Sequence, residues 1–425
     1  MQTATHLDPA LEAERQRVYK RTLIVVACSQ VMSGLGLAAG VAVGALLAQE
    51  MLNSTGLSGL PGALFTFGSA IAAFIVGRIS QKKGRRIGLS LGYLSGAIGG
   101  SGVVLAAILD NPILLFISLF IYGSGMSTNL QARYTGTDLA LPERRGQAIS
   151  TILVASTFGA VAGPNLISTM GDVAIRIGIP ELSGPFLLAI AAYLLAATIL
   201  TIFLRPDPLL TAQKLAVTTA RSTGKTAAKG VTELQRRGII LGASVMVITQ
   251  VVMVAIMTMT PIHMRDHGHS LSATGLVIGL HVAGMFLFSP LTGYLVDRLG
   301  RIPLMIASVI TLPAAGIIAA IAPVDSVPTL AFALWLLGLG WNFGLVSGTA
   351  LLTDSTPIES RASTQGMVDV CVALSGAGGS ITSGVIVATA SFTVLSLAGG
   401  ALALLLIPII FMVHSTQTAM ATSRA

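Results

Sequence analysis

Apolar runs of roughly 20 residues, the length of helix that crosses a bilayer, recur along the whole chain. No soluble core accommodates so many of them. Only 10% of the residues are charged and 53% are hydrophobic, where a soluble domain carries about 25% charge. The runs predict twelve spans, near 22–48, 55–77, 87–108, 112–135, 147–170, 184–204, 238–260, 272–296, 302–322, 328–352, 364–388 and 390–413. Lipid offers backbone groups no hydrogen-bond partner, so each span is expected to be helical. The fold class is therefore an all-α membrane protein.

Charge sets the orientation. With both termini inside, only Arg176 and Arg265 of the 25 lysines and arginines fall outside. Cytoplasmic loops carry such an excess, so the net charge of +8 reads as topology and not as a nucleic-acid footprint. The first twenty residues hold charge but no apolar stretch and read as a cytoplasmic leader, 1–21, rather than a signal peptide. A six-helix half follows at 22–205. Residues 206–236 form a polar, basic linker loop, a second half spans 237–413, and a cytoplasmic tail covers 414–425. The expected setting is a bacterial inner membrane and the expected state a monomer. Cys28 and Cys371 both fall in spans, which argues against a disulfide.

Two loops repeat across the chain. GRISQKKGRR begins at Gly77 and GYLVDRLGRI at Gly293; DLALPERR begins at Asp138 and DSTPIESR at Asp354. Both pairs lie 216 residues apart, as do Glu143 and Glu359, and Arg145 and Arg361. Halves repeated in one orientation are a transporter signature, with the substrate near the midplane between them. The chain resembles a major facilitator superfamily transporter over essentially its full length. GYLVDRLGR follows that family's loop pattern, G-x-x-x-D-R/K-x-G-R.

The resemblance implies gating loops built from Gly77, Gly84, Arg85, Gly293, Asp297, Arg298, Gly300 and Arg301. Arg133, Asp138, Glu143, Arg145, Asp354, Glu359 and Arg361 are candidate latch partners. Asp297 is placed to face a helix N-terminus, where an anion is favoured. In the first half Gln81 replaces that aspartate, which predicts a weaker, uncharged latch. FGAVAGP, with Gly159, Gly163 and Pro164, resembles part of the family's exporter motif, but small residues spaced by four also serve plain helix packing.

The segment 251–285 gathers soft donors. Met253 and Met257 share one helix face, and His281 and Met285 share a face on the next. Thioethers suit Cu(I), and imidazole binds copper among other metals. The loop between them adds His263, His267 and His269 as an outer mouth. M-x-x-x-M followed by H-x-x-x-M resembles the CcoA-type copper importers of the superfamily. That likeness implies Met253, Met257, His281 and Met285 as a copper relay. Cys28 and Met32, with Met367 and Cys371, form a second donor set nearer the cytoplasm. Methionines at helical spacing also act as core filler, so packing stays open as a reading for each.

Copper would be cargo, and no cofactor is expected. His281 and Asp369 are candidate proton-coupling groups, since intramembrane ionisable residues are functional by default. Gln30, Asn129, Gln131, Asn165, Gln250 and Asn342 are neutral groups available to line a path. Two readings follow: a secondary transporter taking up copper, or a proton-coupled exporter of small organic molecules. Neither a P-loop nor a nucleophile with a base occurs, which argues against an enzyme. The 206–236 loop is too short for the partner domain that a signalling receptor would need.

Overall fold

The computed structural model describes residues 9–52, 60–222 and 231–411. The predicted tail, 414–425, and the first eight residues of the leader lie outside them. Eleven described segments are long and apolar enough to cross a membrane. They coincide with the second to twelfth predicted spans, and the first span lies within a long helix, α1 (Pro9–Leu52). The chain continues through α2 (Leu60–Lys83), α3 (Arg85–Leu109), α4 (Pro112–Thr135), α5 (Arg145–Asn165), α6 (Ile167–Arg176), α7 (Gly184–Phe203) and α8 (Pro208–Ser222). After it come α9 (Glu233–Asp266), α10 (Leu271–Phe286), α11 (Ser289–Leu299), α12 (Arg301–Ile321), α13 (Val327–Ser355), α14 (Arg361–Thr389) and α15 (Phe392–Leu404).

Helix starts follow local chemistry. The Asn111 side chain accepts the Leu114 N–H at 3.0 Å ahead of Pro112, so a cap and a proline define the start of α4. Thr232 and Gln235 form a reciprocal capping box on α9. Ser270, Ser326 and Ser391 cap α10, α13 and α15. Between α2 and α3 the only residue is Gly84, at φ 91°, and between α11 and α12 it is Gly300, at φ 101°. A side chain is strained at such angles, so the turn between these helices needs glycine.

Three predicted elements differ. The linker 206–236 contains a helix, α8, whose apolar residues Leu209, Ala212 and Leu215 recur every three residues. The fifth span breaks at Leu166 into α5 and the amphipathic α6. The eighth is interrupted at Leu287–Phe288, just before Pro290, which cannot donate to a continuous helix ladder.

The chain forms two compact units. The first comprises residues 1–141, 151–231 and 357–370. There α4 packs on α2 and α3, while α7 packs on α1 and α3. Its core centres on Tyr93, Tyr122, Phe186 and Tyr193. The second comprises residues 142–150, 232–356 and 371–425. There α13 packs on α9, α10 and α12, and α15 packs on α9 and α12. The second unit repeats the pairings of the first, as a duplicated half requires. The boundaries do not follow the sequence halves, because the start of α5 belongs to the second unit and the start of α14 to the first. Exposed Ile71, Ile98, Ile117, Ile310 and Ile381 give the spans apolar outer faces suited to lipid.

Candidate functional site

Within the first unit, the loop residues close onto the start of α14. Arg85, the first residue of α3, donates to Asp138 through Nε at 2.8 Å and Nη2 at 3.2 Å. Its Nη2 also reaches Gln365 Oε1 at 2.5 Å. Both members of this ion pair are 0% exposed. Gln81 accepts the Ala362 N–H at 2.7 Å and donates to the Ile358 carbonyl at 3.2 Å. The glutamine therefore caps α14 without charge. Beneath it Gly77 and Gly366 cross so closely that a Cβ on either would lie 2.9 Å from the other's Cα.

The second unit carries the repeat-related arrangement. Asp297 accepts the N–H groups of Gly146 and Gln147 at 2.8 and 2.9 Å, capping α5 as expected for an anion at a helix N-terminus. Arg301 donates to Asp354 at 2.8 Å, the counterpart of Arg85 and Asp138. Arg145 also pairs with Asp354, and Arg301 reaches the Pro142 carbonyl. Arg298 instead turns to the Tyr294 hydroxyl at 2.8 Å. Arg361 is buried. Glu143 and Glu359 are exposed and join no ion pair among the described residues, so the latch partners are the aspartates.

One buried pair has no repeat counterpart. Arg133, near the end of α4, donates to Asp369 Oδ1 at 2.6 Å and to the Tyr134 hydroxyl at 2.8 Å. That hydroxyl donates in turn to Asp369 Oδ1 at 3.1 Å. The guanidinium lies 4.2 Å from the centre of the Tyr134 ring. Asp369 Oδ2 is buried without a hydrogen-bond partner among the described residues. The positions 216 residues away hold Thr349 and Leu153. Gln365 likewise corresponds to Ile149. Arg133, Asp369 and Gln365 thus have no counterparts at the repeat-related positions.

The neutral polar groups expected along a path mostly tie helices together. Tyr93 donates to Gln30 Oε1 at 2.6 Å, Gln30 to the Asn129 carbonyl at 3.0 Å, and Asn129 to Ser33 at 2.7 Å. Gln131 donates to the Ala73 carbonyl, and Asn342 to Met285 O and Ser289. Asn165 bonds only within its own helix. Gln250 accepts the Trp341 indole N–H at 2.8 Å, which places an amide at the edge of the indole ring.

The soft donors are dispersed. His281 is 0% exposed, and its Nδ1 lies 2.8 Å from the Leu334 carbonyl of α13. Its Nε2 has no partner among the described residues. Helix α10 packs chiefly on α13 rather than on α9, so the two helices that carry the relay residues are not each other's main neighbours. Met253 is buried, and Met257 and Met285 are half-buried. His263 stacks on Phe392 with ring centres 4.3 Å apart, and His267 sits beside it. His269 meets the Val324 carbonyl at 2.7 Å. Cys28 and Cys371 are free and exposed. Met32 packs on the first core, and Met367 is largely exposed.

Eleven described apolar helices, a duplicated half and repeated loop-to-helix caps are the organisation of a membrane transporter built from repeats. Two segments, 24–280 and 241–423, match the sequence pattern of the Major Facilitator Superfamily. The chain is 57% identical over 413 residues to YdeG of Bacillus subtilis, described as an uncharacterized MFS-type transporter, covering 96% of both chains. It is 29% identical over 354 residues to the riboflavin transporter RfnT of Brucella anthropi, covering 82% of this chain and 85% of the other. Its fold is similar to that of the proton:xylose symporter XylE, with a TM-score of 0.72 at 17% identity, covering 94% of this chain and 96% of the other. The chain belongs to the Major Facilitator Superfamily. It is an integral membrane carrier of small solutes, not an enzyme.

Sequence reasoning named Arg85, Asp138, Arg133 and Asp369 but not who pairs with whom. It missed Tyr134 and Gln365. Tyr134 had a signal, its place beside Arg133; Gln365 had none, because its role appears only when the start of α14 meets α3.

Proposed function

We propose that this protein is a proton-coupled carrier of a small organic solute, monomeric in a bacterial cytoplasmic membrane with both termini inside. The observation that carries the reading is the Arg133–Asp369 pair. It is buried, absent from the repeat, and leaves Asp369 Oδ2 without a partner among the described residues. Removing one charge of a buried pair leaves the other uncompensated, which costs about 3–5 kcal/mol. Protonating Asp369 therefore destabilises the arrangement that holds α4 against α14 and favours the alternate state of the carrier. Solute movement is then linked to the proton.

Copper uptake draws less support. His281 directs one ring nitrogen at α13, and the packing of α10 does not favour a site shared with Met253 and Met257. The riboflavin transporter relative favours an organic cargo.

Purified protein in proteoliposomes tests this with riboflavin as probe. An imposed pH gradient is expected to drive riboflavin transport in the wild type. Asp369→Asn is expected to lose gradient-driven accumulation while keeping exchange at equal pH. Undiminished gradient-driven accumulation in Asp369→Asn overturns the coupling role. Accumulation of Cu(I) without riboflavin transport, abolished by His281→Ala, restores the copper reading.

A further inference from the structure

Two cavities of about 410 and 220 Å³ adjoin on the outside of the first unit, sharing Ser90, Leu91 and Thr201. Together they form a groove between α3 and α7. Leu91, Leu94, Leu194 and Ile202 make its walls and are 40–53% exposed. The floor is sealed by short side chains: Thr201 donates to the Ala197 carbonyl at 2.7 Å, and the Thr201 and Ser90 hydroxyls lie 3.0 Å apart. Thus the polar atoms of the floor bond to protein, and the groove presents mainly hydrocarbon.

The groove has a charged end. Arg86 and Arg205 line it where α3 begins and α7 has just ended. Neither guanidinium forms an ion pair among the described residues. The nearest acid to Arg205 in sequence, Asp207, is engaged by backbone instead, accepting the N–H groups of Arg86 at 2.7 Å and of Leu209 at 3.0 Å. From Arg86 to Leu94 is eight residues, about 12 Å of helix. Half of a bilayer's hydrocarbon is about 15 Å. The groove thus runs along most of the depth of one leaflet, with its cationic end where the spans meet the loops.

The geometry points to a binding site for an anionic glycerophospholipid, with its phosphate between Arg86 and Arg205 and an acyl chain between α3 and α7. The groove is separate from any cargo path. Two arginines at one end supply the charge complementarity that ordinary boundary lipid lacks, and guanidinium binds phosphate oxygens in bidentate fashion. A polybasic surface attracts anionic lipid without a groove, so the test must separate site from surface charge.

The experiment uses full-length protein in nanodiscs of dioleoyl phosphatidylglycerol or dioleoyl phosphatidylcholine, with thermal midpoint and native mass spectrometry as readouts. Wild type is expected to melt higher in phosphatidylglycerol and to retain one such lipid on release into detergent. Arg86→Gln/Arg205→Gln is expected to lose both effects, with retention falling about fivefold for each arginine removed. Thr198→Phe fills the groove from an exposed wall position without changing charge and is expected to lose retention as well. Lys214→Gln, on α8, is expected to behave as wild type. Equal retention in the double arginine variant overturns the site. So does equal loss in Lys214→Gln, which means diffuse charge, or an equal shift from inorganic phosphate alone, which means an ion site without a lipid.

Discussion

Two ion pairs at repeat-related positions differ only in what surrounds them. Arg85 and Asp138 are fully buried, while Arg301 and Asp354 keep 15% and 26% of their side-chain surface exposed. A fully buried charge deprived of its partner costs about 3–5 kcal/mol, and one that keeps contact with water costs less. Asp138→Ala should accordingly lower thermal stability far more than Asp354→Ala, although Asp354 holds two arginines. Thermal unfolding in detergent at fixed lipid content checks the order. If the two variants fall by the same amount, burial is not what distinguishes the pairs. The repeated motif made both arginines and both aspartates legible in the sequence. Their different surroundings were not, because the Arg85 pair also meets Gln365 and the Tyr134 ring, which come from outside the motif.

Helix caps carry the next level. Asp297 brings a full charge and two hydrogen bonds to the start of α5. Gln81 brings one accepted and one donated bond, without charge, to the start of α14. Hydrogen bonds to charged groups contribute about 1.5–3 kcal/mol and neutral ones about 1 kcal/mol. Asp297→Ala is expected to destabilise by about 2–3 kcal/mol and Gln81→Ala by about 1 kcal/mol in matched thermal melts. The reverse order would sink the charge argument. At the crossing of α2 with α14, Gly366→Leu should be far worse than either, since its Cβ would lie 2.8 Å from the Ala73 carbonyl and 2.9 Å from Gly77 Cα. Backbone cannot swing aside as a side chain can. The sequence reading expected a weaker latch at Gln81 from its missing charge. It did not foresee that an amide supplies a donor as well as an acceptor. Span positions were legible because lipid demands about 20 apolar residues. Helix α8 was not, because an amphipathic surface helix of 15 residues lacks that constraint, and the break at Leu166 follows Gly163 and Pro164, which the sequence reading took as a packing motif rather than a helix end.

At the scale of the whole molecule, the pieces 142–150 and 357–370 each pack into the unit built mainly from the other sequence half. The duplicated loops signalled this, since the same residues recur at both places, but which piece packs with which unit is a property of the folded chain. A carrier that works by alternating access must exchange such contacts during turnover. Gln81 of α2 and Ile358, joined by a 3.2 Å hydrogen bond within the first unit, offer a direct handle. In a Cys28→Ser/Cys371→Ser background, Gln81→Cys with Ile358→Cys is expected to transport until a short bifunctional thiol reagent links the pair, and then to stop. Each single cysteine treated in the same way should remain active, and cleavage of the link by reductant should restore transport. Links complete by mass spectrometry with unchanged flux would mean that the start of α14 stays with α2 throughout the cycle. The coupling assigned to Arg133 and Asp369 would then fail too, because Asp369 lies on the same short segment, eight residues beyond Arg361, and would have no motion to couple to.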